Sequence, residues 1–444
     1  MNWRDAHTIY FLGIGGIGMS AIARYFRLMG KQVSGYDRTE TAVTRALEAE
    51  GIRVYFNADP AHLAGAGLVV YTPAIPSDHP ELVHARQTGM PLFKRSQILG
   101  QISQGAKALA VAGTHGKTTT SAMLTHLLRE SGISCTAFLG GISANLGSNF
   151  VYGESDWLVV EADEYDRSFL TLHPHAAIIT AMDPDHLEIY GTAAQMEAAY
   201  RQFASQSGSL LVHASLAGAG WPSAPATFGL DEGDYQATAL RFGGLSVWFD
   251  VEGPGLSLHN LELQMPGAHN VLNMTAALAL AHRAGAPAER LAAAVGSFRG
   301  LYRRFEVLIH RDDLTYIDDY AHHPKEIAAA VAAARALFPE RKLIVVFQPH
   351  LYTRTRDLCE GFAAELSKAD EVLLMEIYPA REEPIPGVTS DMLLQAMSLP
   401  ASHLVARAAL PDAIRAALTR PAVLLTLGAG DIDKEVSTIQ QCFS

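Results

Sequence analysis

Cysteine is scarce in this chain: 3 in 444 residues, at Cys135, Cys359 and Cys442. Three widely spaced thiols, an odd number, exclude a disulfide framework and suit a reducing compartment. No apolar run approaches the ~20 residues of a membrane span. The start, "MNWRDAHTIYFLGIGG", lacks the basic segment and small-residue cleavage site of a secretory leader. A cytoplasmic location without membrane insertion is therefore expected. Positive charge is also short, with 34 Lys and Arg against 46 Asp and Glu, a net −12. That balance argues against a nucleic-acid partner. It leaves a phosphate ligand open, because backbone amides and a few local cations suffice to hold one. There is no short-period repeat and no low-complexity segment.

What is present is an ordinary globular composition, 49% apolar and 18% charged. The length suggests about three domains at roughly 150 residues each. "HTIYFLGI" reads as a buried strand, "GGIGMSAIARYFRLMG" as a glycine turn entering a helix, and "KQVSGYD" and "GLVVYTPAI" as further strands. This βαβ rhythm predicts a parallel sheet. "KALAVAG" opens a new unit near residue 105, followed by the strands "DWLVVEADE" and "AAIITAMDPDH". A strand-rich stretch covers about 207–265, with "LSVWFDVEG" alternating at period two. "NVLNMTAALALAHRAG" is expected to be an amphipathic helix. "FRGLYRRFEVL" reads as a linker into a last unit near residue 300. There the strand–helix pattern returns in "LTYIDDYAHHP", "KLIVVFQPH", "ADEVLLMEIYP" and "AVLLTLGAGD".

Two glycine loops carry the chemistry. Gly13, Gly15 and Gly18 form G-x-G-x-x-G between a strand and a helix, and Asp37 closes the next strand. Glycines let the backbone approach a diphosphate, and a helix N-terminus favours its charge. Alone, the loop suggests a dehydrogenase using NAD, though it does not specify the nucleotide. The second loop, "GTHGKTT" from Gly113 to Thr119, is a phosphate loop with two residues between its glycines instead of four. Its amides and Lys117 would hold the β- and γ-phosphates, and the Thr118 hydroxyl would ligate Mg2+. A dehydrogenase has no use for this second loop.

Further candidates stand at strand ends, where parallel sheets bind ligands. Glu161, Asp163 and Glu164 follow one strand, and Asp183, Asp185 and His186 another. Glu161 and His186 are candidate metal ligands, although imidazole is an unusual partner for a hard cation. In the last unit, Arg354 and Arg356 of "QPHLYTRTRD" lie just beyond a strand, where arginine binds a carboxylate or phosphoryl group.

Taken together, "GTHGKTTT", "EADE", "DHLEIYG", "GAHNVLN", "RRFE" and "DDYAHHP" resemble the Mur ligases, the ATP-dependent amide-forming enzymes of peptidoglycan synthesis. The motifs stand in family order and cover nearly the whole chain. "GIGGIGMS", "QPHLYTRTRD" and "LGAGDI" are similar to the branch that joins L-alanine to the lactyl carboxylate of UDP-N-acetylmuramate. A sibling branch that attaches a whole tripeptide ranks second, because it has a cysteine and bulkier pattern in the first loop and lacks T-R-T-R. A non-catalytic nucleotide-binding regulator is a distant third.

The resemblance implies an α/β protein of three domains. These are a Rossmann-like UDP-sugar-binding domain at 1–105, a central ATP-binding domain at 106–300 with a P-loop-type parallel or mixed sheet, and a Rossmann-like domain at 301–444 that clamps amino acid and ATP. It implies UDP-N-acetylmuramate at Gly13, Gly15, Gly16, Ile17 and Gly18, with Asp37 near the uridine and Thr72, Ala74 and Ile75 lining the same site. ATP would lie on Gly113, Thr114, His115, Gly116, Lys117, Thr118 and Thr119, surrounded by Asn270, Asn273, Arg304 and Asp319. Two Mg2+ sites, open to Mn2+, would use Thr118 with Glu161 and Glu161 with His186. His323, His350 and Arg354 would place the substrates, and His350 is a candidate base for the amine proton. A monomer or weak homodimer is expected. Two departures from the family stand out. Several members carry a carbamylated lysine where this chain has Tyr200, and no lysine occurs between Lys117 and Lys325. Many alanine-adding members also have arginine where this chain has Leu351.

Overall fold

The first apolar run becomes strand β1 (Thr8–Leu12), in which Ile9, Phe11 and Leu12 are fully buried. Burial on both faces marks a strand covered by helices on either side. The computed structural model describes residues 3–380, 382–419 and 421–444. β1 pairs in parallel with β2 (Gln32–Tyr36). The five-stranded sheet is completed by β3 (Arg53–Tyr55), β4 (Leu68–Tyr71) and β5 (Leu92–Lys94) in the order β3-β2-β1-β4-β5. Strand order reverses between β1 and β4, and ligands of open parallel sheets bind at such a crevice. β3 and β5 have three residues each, too few to show a period in the sequence.

The central sheet is built on β6 (Lys107–Ala112), β7 (Thr136–Ser143), β8 (Ser148–Val151), β9 (Trp157–Glu161), β10 (Ala176–Ile179), β11 (Leu210–His213) and β12 (Ala226–Leu230). These run in the order β12-β11-β10-β6-β9-β7-β8. Only the β7–β8 pair among them is antiparallel. β6 lies between β9 and β10, so the loops that follow these three strands leave from neighbouring ends. β13 (Tyr235–Gly243), β14 (Ser246–Gly253) and β15 (Leu256–Leu263) follow, and β14 alternates partly buried with buried residues as its pattern predicts. The next helix, Ala268–Arg283, departs from expectation. Residues 273–281 are all buried, so it is covered on every side instead of facing solvent with a polar stripe.

The third sheet comprises β16 (Glu306–His310), β17 (Leu314–Asp319), β18 (Lys342–Phe347), β19 (Glu371–Leu374), β20 (Ser402–Leu404) and β21 (Ala422–Leu427), in the order β16-β17-β21-β18-β19-β20. The end of the expected linker is β16, paired antiparallel with β17. Arg303 and Arg304 disguise this boundary as solvated loop, yet the Arg303 guanidinium donates to buried Asp318 at 3.0 Å.

The chain divides into two compact units: 1–239 with 249–261 and 272–299, and 240–248 with 262–271 and 300–444. The first unit contains the first sheet and the central strands β6 to β12. The helix Ile17–Leu28 docks on β7 and β8, where the Asn149 side chain donates to Ile17 O and Tyr25 meets the rings of Phe138 and Phe150. Burying such side chains contributes about 1.5–3 kcal/mol each. Among the described residues no helix is long and apolar enough to cross a membrane.

Candidate active site

The first glycine loop leaves β1 at the switch point. Gly13 takes φ +84°, and its amide donates to Tyr36 O at 2.8 Å. Each glycine of the motif admits a different neighbour. A Cβ on Gly13 would lie 2.8 Å from Thr72, on Gly15 2.8 Å from the Asp37 carboxylate, and on Gly18 2.5 Å from the Arg95 guanidinium. Ile75 lies 3.6 Å from that Gly13 position, and the Ala74 amide points at the Thr72 hydroxyl at 3.5 Å. Gly16 precedes the helix Ile17–Leu28 with no side-chain cap on its first turn, which leaves amides for an anion. Asp37 accepts from Gly15 N at 2.8 Å and Thr39 N at 3.2 Å. It therefore braces the loop as well as facing its mouth.

The second loop joins β6 to the helix Lys117–Glu130. Gly113 has φ +130°, and a Cβ there would collide with the Thr180 side chain. Gly116 has φ +80°, and a Cβ would stand 2.6 Å from Asn273 Oδ1, so Asn273 touches the loop. The Thr114 hydroxyl accepts from Asp183 N at 3.1 Å, and His115 Nε2 lies 3.5 Å from Asp183. Thr118 and Thr119 start the helix, each 7% exposed.

Lys117 is pinned. Its ammonium donates to Gly113 O at 2.7 Å and lies 2.9 and 2.8 Å from the two oxygens of Glu164, which is 1% exposed. Burial alone would lower the lysine pKa, but the charges of Glu164, Asp163 and Glu161 outweigh it and hold the lysine well above its usual range. Burial pushes the Glu164 carboxyl up, opposed by Lys117.

Glu161 ends β9 directly beside Val111 of β6, and its carboxylate accepts from Gly140 N at 3.2 Å. A Cβ on Gly140 would land on that carboxylate. His186 follows β10 with φ +51°, its ring 5.2 Å from Tyr165 and its Nε2 3.7 Å from Asp185. Among the described residues no three His, Cys, Asp or Glu converge as a metal cage. A hydroxyl, a carboxylate and an imidazole at neighbouring strand ends nonetheless suit a cation that takes its remaining oxygens from phosphate and water.

In the second unit Asp319 accepts from Phe305 N and Ala321 N, both at 2.7 Å. Burial pushes its carboxyl up to about 6, against Arg304 and the two amides. The Arg304 guanidinium lies 5.1 Å over the Tyr320 ring and 4.0 Å from Glu326. Asn270 is occupied locally, donating to Pro266 O at 2.7 Å. His323 caps the helix Pro324–Leu337, its Nδ1 accepting from Lys325 N. His350 and Arg354 meet at 3.5 Å, with His350 between the rings of Tyr378 and His322 at 5.8 and 6.2 Å. Leu351 between them is 5% exposed and has φ +72°, held there by the hydrogen bond its N–H donates to Tyr378 O. Such a sparsely populated conformation costs a leucine about 1–3 kcal/mol.

Burial pushes His269 down to about 4 from 6.5. The native state therefore refuses a proton that the unfolded chain accepts, and this stability, full above pH 6.5, is lost as pH falls toward 4. A His269→Gln variant is expected to lose less melting temperature than the parent between about pH 7.5 and about pH 5. Equal losses in thermal melts would refute the role of this ring.

Several residues escaped the sequence reading. Arg95 lies over Gly18 and pairs with Asp163 at 3.2 Å, and Lys94 pairs with Asp166 at 2.8 Å. "FKRS" after a hydrophobic pair was the available signal. Gly140 and Tyr378 carried none, because their partners Glu161 and Leu351 are remote in sequence.

The Mur ligase family, catalytic domain, matches residues 8–107; the Mur ligase middle domain 111–281; and the Mur ligase, glutamate ligase domain, 303–430. The UDP-N-acetylmuramate–L-alanine ligase of Cytophaga hutchinsonii is 43% identical, over 99% of this chain and 97% of that protein. The crystal structure of UDP-N-acetylmuramate-alanine ligase from Thermotoga maritima superposes with a TM-score of 0.84 at 32% identity, covering 98% of each chain. A murein peptide ligase of Psychrobacter arcticus gives 0.75 at 23% identity and 98% coverage of each, a likeness of fold.

Proposed function

The chain belongs to the Mur ligase family, and on that premise we propose that it joins L-alanine to the lactyl carboxylate of UDP-N-acetylmuramate, converting ATP to ADP and phosphate. The observation that carries this reading is the full-length likeness to relatives of that name, at 43% identity over 99% of the chain. The three-domain division at 1–105, 106–300 and 301–444 and the cytoplasmic location belong to the same proposal.

A carboxylate is a poor acyl donor because oxide would have to leave. In the proposed reaction a lactyl carboxylate oxygen attacks the γ-phosphorus in line and ADP departs, leaving an acyl phosphate. The alanine amine, as free base, then attacks the acyl carbon, and the tetrahedral adduct expels phosphate as the amide forms. Lys117 and the first amides of the helix Lys117–Glu130 offset charge on the transferring group. Thr118, Glu161 and His186 would hold Mg2+, which supplies charge neutralisation at the phosphate oxygens when bound. The glycine loop and Thr72 orient the nucleotide sugar. Arg354 receives the alanine carboxylate, and His350 accepts the amine proton.

The test is phosphate release from ATP and Mg2+ with UDP-N-acetylmuramate, comparing L-alanine with the tripeptide L-Ala-γ-D-Glu-diaminopimelate. Release with alanine is expected. Release with tripeptide alone would transfer the chain to the sibling branch, and release with neither would leave a nucleotide-binding regulator. Arg354→Ala is expected to raise the alanine KM roughly 10- to 100-fold, the loss of a charge-assisted pair, while ATP binding stays unchanged. An unchanged alanine KM and kcat would remove Arg354 from that role.

A further inference from the structure

We propose that Glu164 is the resident counter-ion of the phosphate-loop lysine, displaced by incoming nucleotide, and that Tyr200 is the hydrogen-bond donor that then receives the released carboxylate. This rests on the reading of residues 113–119 as the ATP loop.

An ammonium has three N–H donors. In this structure Lys117 donates to Gly113 O at 2.7 Å and to Glu164 Oε1 at 2.9 Å, and Glu164 Oε2 lies 2.8 Å away as an ion-pair contact without hydrogen-bond geometry. Its charge is already taken up by a buried carboxylate in contact, so an incoming phosphate must compete with Glu164 for the lysine. Glu164 cannot turn to solvent, being 1% exposed, and its backbone is fixed where Tyr190 OH donates to its carbonyl at 2.6 Å. Only its side chain can reorient. A buried carboxylate stripped of its cation is costly unless another donor reaches it.

Tyr200 fits that need. It is fully buried on the helix Ala193–Ser205, its ring packed edge-on against Phe169 at 5.1 Å. Its hydroxyl has no hydrogen-bond partner among the described residues. Its helix packs on the turn Tyr165–Thr171 that directly follows Glu164, and after burial the Glu164 charge is the largest influence raising the phenol's pKa. Native proteins rarely bury a hydroxyl without a partner. Here the partner arrives in the nucleotide-bound state.

Calorimetric titration of the full chain with β,γ-methylene-ATP and Mg2+ tests this, beside thermal melts without nucleotide. Glu164→Gln removes the competing anion and is expected to tighten binding about tenfold, while lowering the nucleotide-free melting temperature. Tyr200→Phe is expected to weaken binding about 5- to 10-fold without lowering that melting temperature. In the Glu164→Gln background the Tyr200 effect should vanish. Weaker or unchanged binding by Glu164→Gln would show that Lys117 keeps Glu164 in the complex and would overturn the proposal. A Tyr200→Phe protein that melts earlier yet binds normally would reduce Tyr200 to packing, with the same result. Should Glu164→Gln not fold, Tyr200→Phe decides alone. Failure of the parent to bind the analogue would instead remove the ATP-loop reading beneath it.

Discussion

Lys117→Met is expected to slow acyl-phosphate formation by about a thousandfold or more, and overall amide synthesis with it. Methionine keeps the unbranched stem inside the loop but carries no charge to the γ-phosphate. Both half-reactions fall because phosphoryl transfer comes first. The structure adds a second consequence. Glu164, 1% exposed, would be left without its cation, a loss that costs roughly 3–5 kcal/mol in comparable buried pairs. The variant should therefore melt well below the parent. Adding Glu164→Gln should restore much of the stability but none of the activity. Rapid-quench trapping of the acyl phosphate, run beside thermal melts, separates the two effects. Formation of acyl phosphate at the parent rate by Lys117→Met would remove the lysine from the reaction.

Glu161→Gln is the second large effect, expected to lower kcat roughly a hundredfold and raise the Mg2+ concentration needed for half-maximal rate. The amide keeps the shape but loses the anionic oxygen a hard cation requires. Gly140→Ala approaches the same carboxylate from outside, because its new Cβ would occupy the position of the Glu161 oxygens. It should raise the Mg2+ concentration needed for half-maximal rate about 10- to 100-fold, the range for substitutions beside a metal ligand. Mg2+ titration of initial rates checks both. A Gly140→Ala enzyme with the parental Mg2+ curve would show that Glu161 does not hold the metal.

The strands that carry the site were legible where several apolar residues cluster just before a glycine or polar turn. β1, β6, β9, β17, β18 and β21 all stand where the pattern predicts them. The short β3 and β5 were not legible, and β16 lay hidden behind Arg303 and Arg304. The helix Ala268–Arg283 misled for a different reason: its alanines and threonine look like an open face, yet the surrounding structure covers them too.

Sequence alone determined the two glycine loops, the family, and most residues at the strand ends. These are local devices, since a glycine turn, a helix N-terminus and the residue that closes a strand need only their neighbours to be recognised. Pairing across long separations was decided by the tertiary structure. Arg95 lies over Gly18 and binds Asp163, Gly140 backs Glu161, and Asn273 touches Gly116 while Asn270 turns to Pro266. Most consequentially, Lys117 holds Glu164 in a buried pair. Which carboxylate meets which cation depends on strand order and burial, and neither is written in any single stretch of the chain.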